Sequence, residues 1–321
     1  MFRTPISLSP VEQPISIRSQ LLSWGSCFAD FIGNELLTHK FKITCNPCGI
    51  IFHPLAQLEL FRLSLDKELP PEYSYVCHQG IWYNYLFHSS ISSSSRAELE
   101  NTVDQKISQL RSLLTQADFI LMTFGTAIQY GHKDTGLLVA NCHKVPQREF
   151  EKSLTTPETI IHQFHNLFDR GDISARIILS VSPIRHLKEG IEQNCASKSA
   201  LRLVCEILKK DQNTTYFPGY EIMLDDLRDY RFYQKDMIHP NQTARDYIWD
   251  LFTSNFLDQE AQEFVDLWQK IALNINHRPF HPQSPAHQEF LKKTISQIQS
   301  LPHDVDTSKE IAILKANLNE S

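Results

Sequence analysis

The stretch DFILMTFGT, residues 118–126, decides the fold class of this 321-residue chain. Its apolar run over residues 118–124 is typical of a strand buried on both faces of a parallel sheet, and the run stops at Gly125. The stretch ARIILSVSP, residues 175–183, repeats this plan. Between residues 96 and 116, apolar residues recur at spacings of three and four, which predicts a helix. Strands that alternate with helices predict an α/β domain with a mostly parallel sheet.

The segments on both sides extend this alternation. The pattern predicts strands over 20–24 and 41–45, a hairpin over 72–76 and 81–87, and helices over 28–37, 54–65, 197–210 and 242–256. After about residue 258 come a helical segment, a linker rich in proline and histidine, and a polar helix. We therefore predict an α/β domain over residues 1–257 and a helical C-terminal extension over residues 258–321.

Composition excludes several classes of protein. With 41% apolar and 21% charged residues, the chain has the composition of a globular protein and not of a disordered or collagen-like one. Its net charge of −6 offers no basic field for phosphates, so we expect no nucleic-acid partner. We also expect no membrane span, a cytoplasmic location and free thiols, because no long apolar run is present and the seven cysteines are odd in number and scattered. Protein partners are not indicated.

Unusual residues follow the predicted strands. They are Gly25–Cys27, Asn46–Gly49, Gly125–Ala127 and Ser182–His186. Right-handed crossovers bring the loops after parallel strands to one edge of the sheet, where ligands bind at the switch in strand order. We therefore expect one site that gathers these four segments.

Ser26 lies between a predicted strand and a predicted helix, where free backbone N–H groups favour a developing oxyanion. A nucleophilic hydroxyl needs a base, and Asp236 precedes His239 by three residues, so the carboxylate can orient the imidazole. A second interpretation is that Ser26 only caps the helix, since serine is among the preferred N-cap residues.

At this point the chain resembles the GSCFA family, a branch of the SGNH or GDSL-type hydrolase superfamily. The first similar block is GSCFA itself at residues 25–29. Later blocks are similar in order and content: NPCG at 46–49, FGTA at 124–127, VANCHK at 139–144, SVSPIRH at 180–186 and DMIHP at 236–240. The resemblance covers about residues 15–255.

The resemblance implies a three-layer, flavodoxin-like α/β sandwich and a serine hydrolase with the triad Ser26, His239 and Asp236. It also implies three oxyanion donors: the N–H of Ser26, the N–H of Gly49 and an asparagine side chain from the third block. This chain has Gly125-Thr126-Ala127 where Gly-x-Asn is expected. Loss of one donor costs ~3–4 kcal/mol of transition-state stabilisation. Thr126 and Asn141 are the candidate substitutes.

The expected substrate is a small-molecule ester, such as an O-acetyl or other short-acyl ester of a carbohydrate or small metabolite. Acyl transfer is the nearest variation, and a non-catalytic ligand- or protein-binding module is an alternative that the missing asparagine favours. Candidate substrate-binding residues are Arg185, His186, His143 and Asn46. Arg185 suits a carboxylate or phosphate through its planar guanidinium, and an internal ion pair that holds a loop suits it equally.

The thiols and histidines suggest one further alternative. Cys45-x-x-Cys48, Cys77-His78 and Cys142-His143 contain enough soft ligands for zinc. A structural zinc site normally presents two compact ligand pairs on turns, which this spacing matches only in part. We therefore predict no metal and no cofactor.

Overall fold

A computed structural model describes residues 3–301 and 305–319. Its strands, in chain order, are β1 (Gln20–Gly25), β2 (Lys42–Cys45), β3 (Tyr75–His78), β4 (Ile81–Asn84), β5 (Ser92–Ser93), β6 (Phe119–Phe124), β7 (Ile128–His132), β8 (Leu138–Val139), β9 (Phe150–Leu154), β10 (Arg176–Val181) and β11 (Thr214–Tyr216). Its helices are α1 (Cys27–Thr38), α2 (Pro54–Asp66), α3 (Arg96–Gln116), α4 (Pro157–Phe168), α5 (Ile191–Leu208), α6 (Gly219–Glu221), α7 (Gln242–Phe256), α8 (Gln259–Ile275), α9 (Pro285–Gln299) and α10 (Ser308–Asn319).

The central sheet has five parallel strands in the order β11-β10-β6-β1-β2. Counted along the chain within this sheet, the order is 2-1-3-4-5, which is that of doubly wound α/β proteins. The order reverses between β1 and β6, where Gly25 is paired with Thr123. The loops after these two strands therefore diverge at the switch point, where such folds bind their ligands.

Helices cover both faces of this sheet because side chains alternate along each strand. Leu22 and Trp24 of β1 pack into the core under α2 to α5, whereas Leu21 packs on the opposite face against α1 and α7. The result is a three-layer α/β sandwich, as predicted. Small antiparallel sheets, β3-β4-β5 and β8-β7-β9, flank it.

The C-terminal helices share the core under α1 and α7. Trp268 of α8 is buried there, and its indole N–H donates to the Thr38 carbonyl at the end of α1 (2.8 Å). Leu291, Ile298 and Leu314 of α9 and α10 join the same cluster. Fully burying each such side chain contributes ~1.5–3 kcal/mol.

Several elements differ from their predicted bounds. The helix expected from residue 197 begins earlier, at Ile191. Its first turns are polar and have no apolar period, so the sequence pattern does not reveal them. In the predicted hairpin, Glu72–Ser74 is a short 3-10 turn and the paired strands are Tyr75–His78 and Ile81–Asn84. Helix α3 has its predicted bounds.

Candidate functional site

Ser26 ends β1 and caps α1. It is 1% exposed, and its Oγ accepts the Phe28 N–H (3.2 Å). Its own N–H donates to the Thr123 carbonyl (3.3 Å). The preceding Gly25 has φ +131°, and a Cβ there would lie 2.1 Å from the same carbonyl oxygen. Only glycine permits this close approach of β1 to β6, so the turn that presents Ser26 depends on Gly25.

Asp236 and His239 form a preorganised pair in the loop before α7. Asp236 Oδ2 lies 2.7 Å from His239 Nδ1, and Oδ1 accepts the N–H groups of Ile238 (2.9 Å) and His239 (3.0 Å). These bonds, those from the two backbone N–H groups first, lower the pKa of Asp236 to about 2. Because an ionised carboxylate only accepts, His239 Nδ1 donates to Asp236, and in the neutral ring Nε2 is then the nitrogen that can accept a proton.

Arg185 holds this loop in place. Its Nη1 donates to the Met237 carbonyl (3.0 Å), and its guanidinium lies over the rings of Tyr233 (4.2 Å) and Tyr230 (5.0 Å). Met237 has a left-handed backbone with φ +58°, which the turn between Asp236 and His239 requires. Arg185 therefore holds a loop, as one of its two interpretations expected, through a carbonyl and two aromatic rings, and it forms no ion pair with any residue that the structure describes.

His239 opens into a cavity of about 200 Å³, here called the His239 cavity. Cys27, Phe28, Asp30, Phe31, Asn34, Ile184, Gln234, Pro240 and Arg245 complete its lining. Cys27 directly follows Ser26, so the nucleophile candidate lies beside this cavity. Among the described residues, no hydrogen bond joins Ser26 to His239. The fold therefore places Ser26 near His239 without a direct hydrogen bond between these two described residues.

The candidate oxyanion donors already have partners. The Gly49 N–H donates to the Asn46 carbonyl (2.8 Å). Thr126 Oγ1 lies 3.0 Å from Ser197 Oγ and accepts the Ile128 N–H (3.1 Å). Gly49 has φ +77°, and a Cβ there would lie 2.3 Å from His88 Cβ. The loop after β4 therefore packs closely against the turn after β2.

Asn46 supports the turn after β1. Its Oδ1 accepts the Gly25 N–H (2.7 Å), and its Nδ2 donates to Asp30 Oδ1 (2.6 Å) in the first turn of α1. The side chain is buried, so both ends of its amide serve the protein itself. Asn46 thereby links β2, β1 and α1 directly beneath Ser26.

Four other predicted residues, Thr126, Asn141, His143 and His186, line a separate cavity of about 310 Å³, here called the Thr126 cavity. Its other lining residues are Phe52, His53, Ile128, Tyr130, Val139, Ala140, Cys142, Lys144, Gln147 and Lys188. Neither Ser26 nor the pair Asp236 and His239 is part of this lining. The predicted residues therefore fall into two groups, one on each side of the loop after β10.

His143 is a neutral, fixed side chain of the Thr126 cavity. Its Nε2 donates to the Asn84 carbonyl (2.8 Å) and its Nδ1 accepts from Ser89 Oγ (2.9 Å). Burial lowers the pKa of His143 to about 4. The Asn141 side chain accepts the His143 N–H (3.0 Å) and so shapes the turn.

A family model described as the GSCFA family matches residues 20–252. The chain belongs to the GSCFA family. A second model, described as the C-terminal domain of GSCFA domain proteins, matches residues 268–320. No curated protein matches the chain significantly.

Within residues 3–301 and 305–319, no three histidine, cysteine, aspartate or glutamate side chains are grouped so that they could hold a metal ion. In the same residues, no helix combines the length and the apolar character that crossing a bilayer needs.

Lys198 of α5 is a residue that the sequence reasoning missed in this GSCFA family member. It is 1% exposed, and its Nζ donates to the carbonyls of Gly125 (2.6 Å) and Ser182 (2.7 Å), which follow β6 and β10. Burial lowers the pKa of this amine to about 7. A signal was present, because Lys198 shares a helical face with the apolar Leu201 and Cys205.

Proposed function

We propose that this GSCFA family member hydrolyses a small ester through a Ser26 acyl-enzyme. His239 Nε2 takes the Ser26 hydroxyl proton while Oγ attacks the ester carbonyl carbon. The tetrahedral intermediate collapses, the C–O bond to the alcohol breaks, and His239 returns the proton to the departing alcohol. Water then attacks the acyl-enzyme with the same proton route and releases the acid and Ser26.

The observation that carries the proposal is the pair of Asp236 and His239. Asp236 fixes the ring through Nδ1 and is itself fixed by two backbone N–H groups. Such a carboxylate stabilises the imidazolium that forms when His239 accepts a proton. Nε2 is the ring atom that a general base needs, and His239 lines the cavity that Cys27 also lines.

The position of Ser26 supports the nucleophilic role. Its Oγ lies at the N-terminus of α1, where the N–H groups of the first turn and the helix dipole favour negative charge. Rotation of the Ser26 side chain away from the Phe28 N–H frees Oγ for attack and frees that N–H for the oxyanion. The neighbouring Cys27 is a poor competitor, because burial and Asp30 raise the pKa of its thiol.

The size of the His239 cavity favours a short acyl group, such as an acetyl ester of a carbohydrate or small metabolite. Its volume of about 200 Å³ lies below the ~300–1,000 Å³ typical of pockets that hold drug-sized ligands. An acyl-enzyme that meets an alcohol before water would transfer the acyl group instead of hydrolysing it.

A second candidate function is a non-catalytic binding module. The N–H groups of Ser26 and Gly49 are both hydrogen-bonded within the protein, to Thr123 and Asn46 respectively. An oxyanion hole needs such donors aimed at the substrate. Occupied donors and the missing third-block asparagine favour this alternative.

The test is labelling of the purified chain with a fluorophosphonate probe, followed by peptide mapping and p-nitrophenyl acetate hydrolysis. Wild type should be labelled at Ser26, and Ser26→Ala and His239→Ala should each lose nearly all turnover. Ser89→Ala is the matched control, because the Ser89 hydroxyl also bonds a histidine, and it should behave as wild type. A wild-type chain that neither hydrolyses the ester nor reacts with the probe favours the binding module.

A further inference from the structure

The Thr126 cavity is apolar inside although histidines and a threonine contribute to its wall. His53 donates to Thr155 Oγ1 and accepts the Leu55 N–H. The residue is 4% exposed. The ring nitrogens of His143 and the hydroxyl of Thr126 also have partners in the protein. The remaining wall is largely aromatic and aliphatic. Such a surface accommodates the apolar body of a ligand better than it accommodates water.

Two exposed lysines contribute positive charge to the lining of this cavity. Lys144 and Lys188 belong to its lining, and neither has a carboxylate partner within the described parts of the chain. The Lys188 ammonium lies 4.8 Å from the centre of the Tyr130 ring. The acidic neighbour Glu189 is already engaged by Lys152 (3.3 Å), and it also pairs with His186 (3.3 Å) when that ring is protonated.

The charges of Lys188 and Lys152 act on two residues of the cavity wall, Cys142 and His186. Burial raises the pKa of the Cys142 thiol, and the charges of Lys188 and Lys152 oppose that rise. Burial lowers the pKa of His186. The charge of Glu189 opposes this effect, and the charges of Lys198, Lys188 and Lys152 add to it. Lys198 is bonded to the carbonyls of Gly125 and Ser182 and to no carboxylate among the described residues. A positive potential in a low-dielectric wall attracts an anion.

We propose that the Thr126 cavity binds a small ligand with an apolar body and one anionic group, the body packed between Phe52, Ile128 and Val139 and the anionic group at Lys144 and Lys188. At about 310 Å³ the cavity is near the lower end of the size range of small-molecule sites. Lysines bind carboxylate and phosphate alike as point charges, so the shared chemistry is an apolar body that carries one anionic group. This inference does not rest on ester hydrolysis, because none of the proposed triad lines the cavity.

The test is isothermal titration calorimetry of the full chain with hexanoate, phenyl phosphate, hexanol and hexylammonium. Hexanoate or phenyl phosphate should bind at least about fivefold more tightly than hexanol, and hexylammonium should bind most weakly. Benzoate, which has the same ring as phenyl phosphate, is titrated beside it, and whichever of these two anions binds better identifies the anionic group. Equal affinity for hexanoate and hexanol, or no binding of either anion, overturns the proposal.

Variants locate the site. The double variant Lys144→Gln and Lys188→Gln should weaken anion binding at least about fivefold and leave hexanol unchanged. Lys210→Gln is the matched control, since Lys210 is exposed beyond the far end of α5. Ala140→Phe should fill the cavity and abolish binding of anion and alcohol alike. An anion affinity that the lysine pair does not change overturns the proposal, whether or not Ala140→Phe folds.

Discussion

Replacing Lys198 by methionine should change how stability depends on pH. In the folded chain, burial without a carboxylate partner lowers the pKa of Lys198 from its ordinary value of 10.5 to about 7. The unfolded chain therefore binds more protons than the folded chain between these two values. Stability contributed through this amine rises as pH rises across that range and is lost as pH falls through the folded pKa. Methionine has a similar length and no proton to bind.

The magnitude follows from the two pKa values. Linkage predicts that the unfolding free energy of wild type increases by about 2 kcal/mol relative to that of Lys198→Met between pH 7 and pH 9. Lys198→Met also leaves the carbonyls of Gly125 and Ser182 without their donor, which costs ~1–3 kcal/mol each. That loss is the same at every pH, so it displaces the curve of unfolding free energy against pH and does not change the slope of this curve. Raised thiol pKa values, such as that of Cys45 at about 11, affect both proteins equally.

The assay is equilibrium unfolding in urea at pH 6, 7, 8 and 9 for wild type, Lys198→Met and the exposed control Lys210→Met. The difference in unfolding free energy between wild type and Lys198→Met should grow with pH, and the difference between wild type and the control should stay flat. The slope m should be common to all three proteins, which shows that the unfolded states are comparable. Parallel curves for wild type and Lys198→Met would refute the depressed pKa.

Three further predictions concern the turn before Ser26, the loop before α7 and the C-terminal helices. Gly25→Ala should lower the unfolding free energy, measured in urea, by about 3 kcal/mol or more, because the new Cβ would lie 2.1 Å from the Thr123 carbonyl oxygen. Gly131→Ala is the control and should unfold like wild type, because the space around its Cβ is open. Arg185→Ala should lower kcat of the proposed esterase about tenfold through loss of its bond to Met237, and Arg185→Lys should not restore it; a rise in KM at constant kcat would instead show substrate binding. Trp268→Ala should lower the unfolding free energy by about 3–5 kcal/mol in a single transition, and a separate early transition by circular dichroism would mean that α8 to α10 unfold independently.

Local pattern was sufficient for the sheet and for the long helices. The apolar run over 118–124 and the three-and-four spacing over 96–116 correspond to β6 and α3, because burial on both faces or on one face leaves a direct trace in the sequence. The predicted α/β class, parallel sheet and GSCFA family are confirmed. Helix α5 begins earlier than predicted because the residues of its first turns are mostly polar, so they show no apolar period.

The site was less predictable because its decisive contacts join distant segments. Ser26 and His239 are brought near each other by the packing of α1 beside the loop before α7, and no local pattern encodes the distance between them. Asn46 was a candidate for substrate binding, yet its amide groups bond Gly25 and Asp30. Lys198 escaped notice because a lysine on an apolar helical face is ordinarily assumed to reach solvent. The triad, the oxyanion donors and the substrate-binding roles stay predictions.

The loop after β10 separates the two cavities with three consecutive residues. Ile184 lines the His239 cavity, His186 lines the Thr126 cavity, and Arg185 between them holds the Met237 carbonyl. A ligand that favours one position of this loop from one side changes the affinity on the other side to the extent that this second affinity depends on the same position. Thermodynamic reciprocity then applies: whatever factor occupancy of the first cavity imposes on affinity at the second, the second imposes on the first.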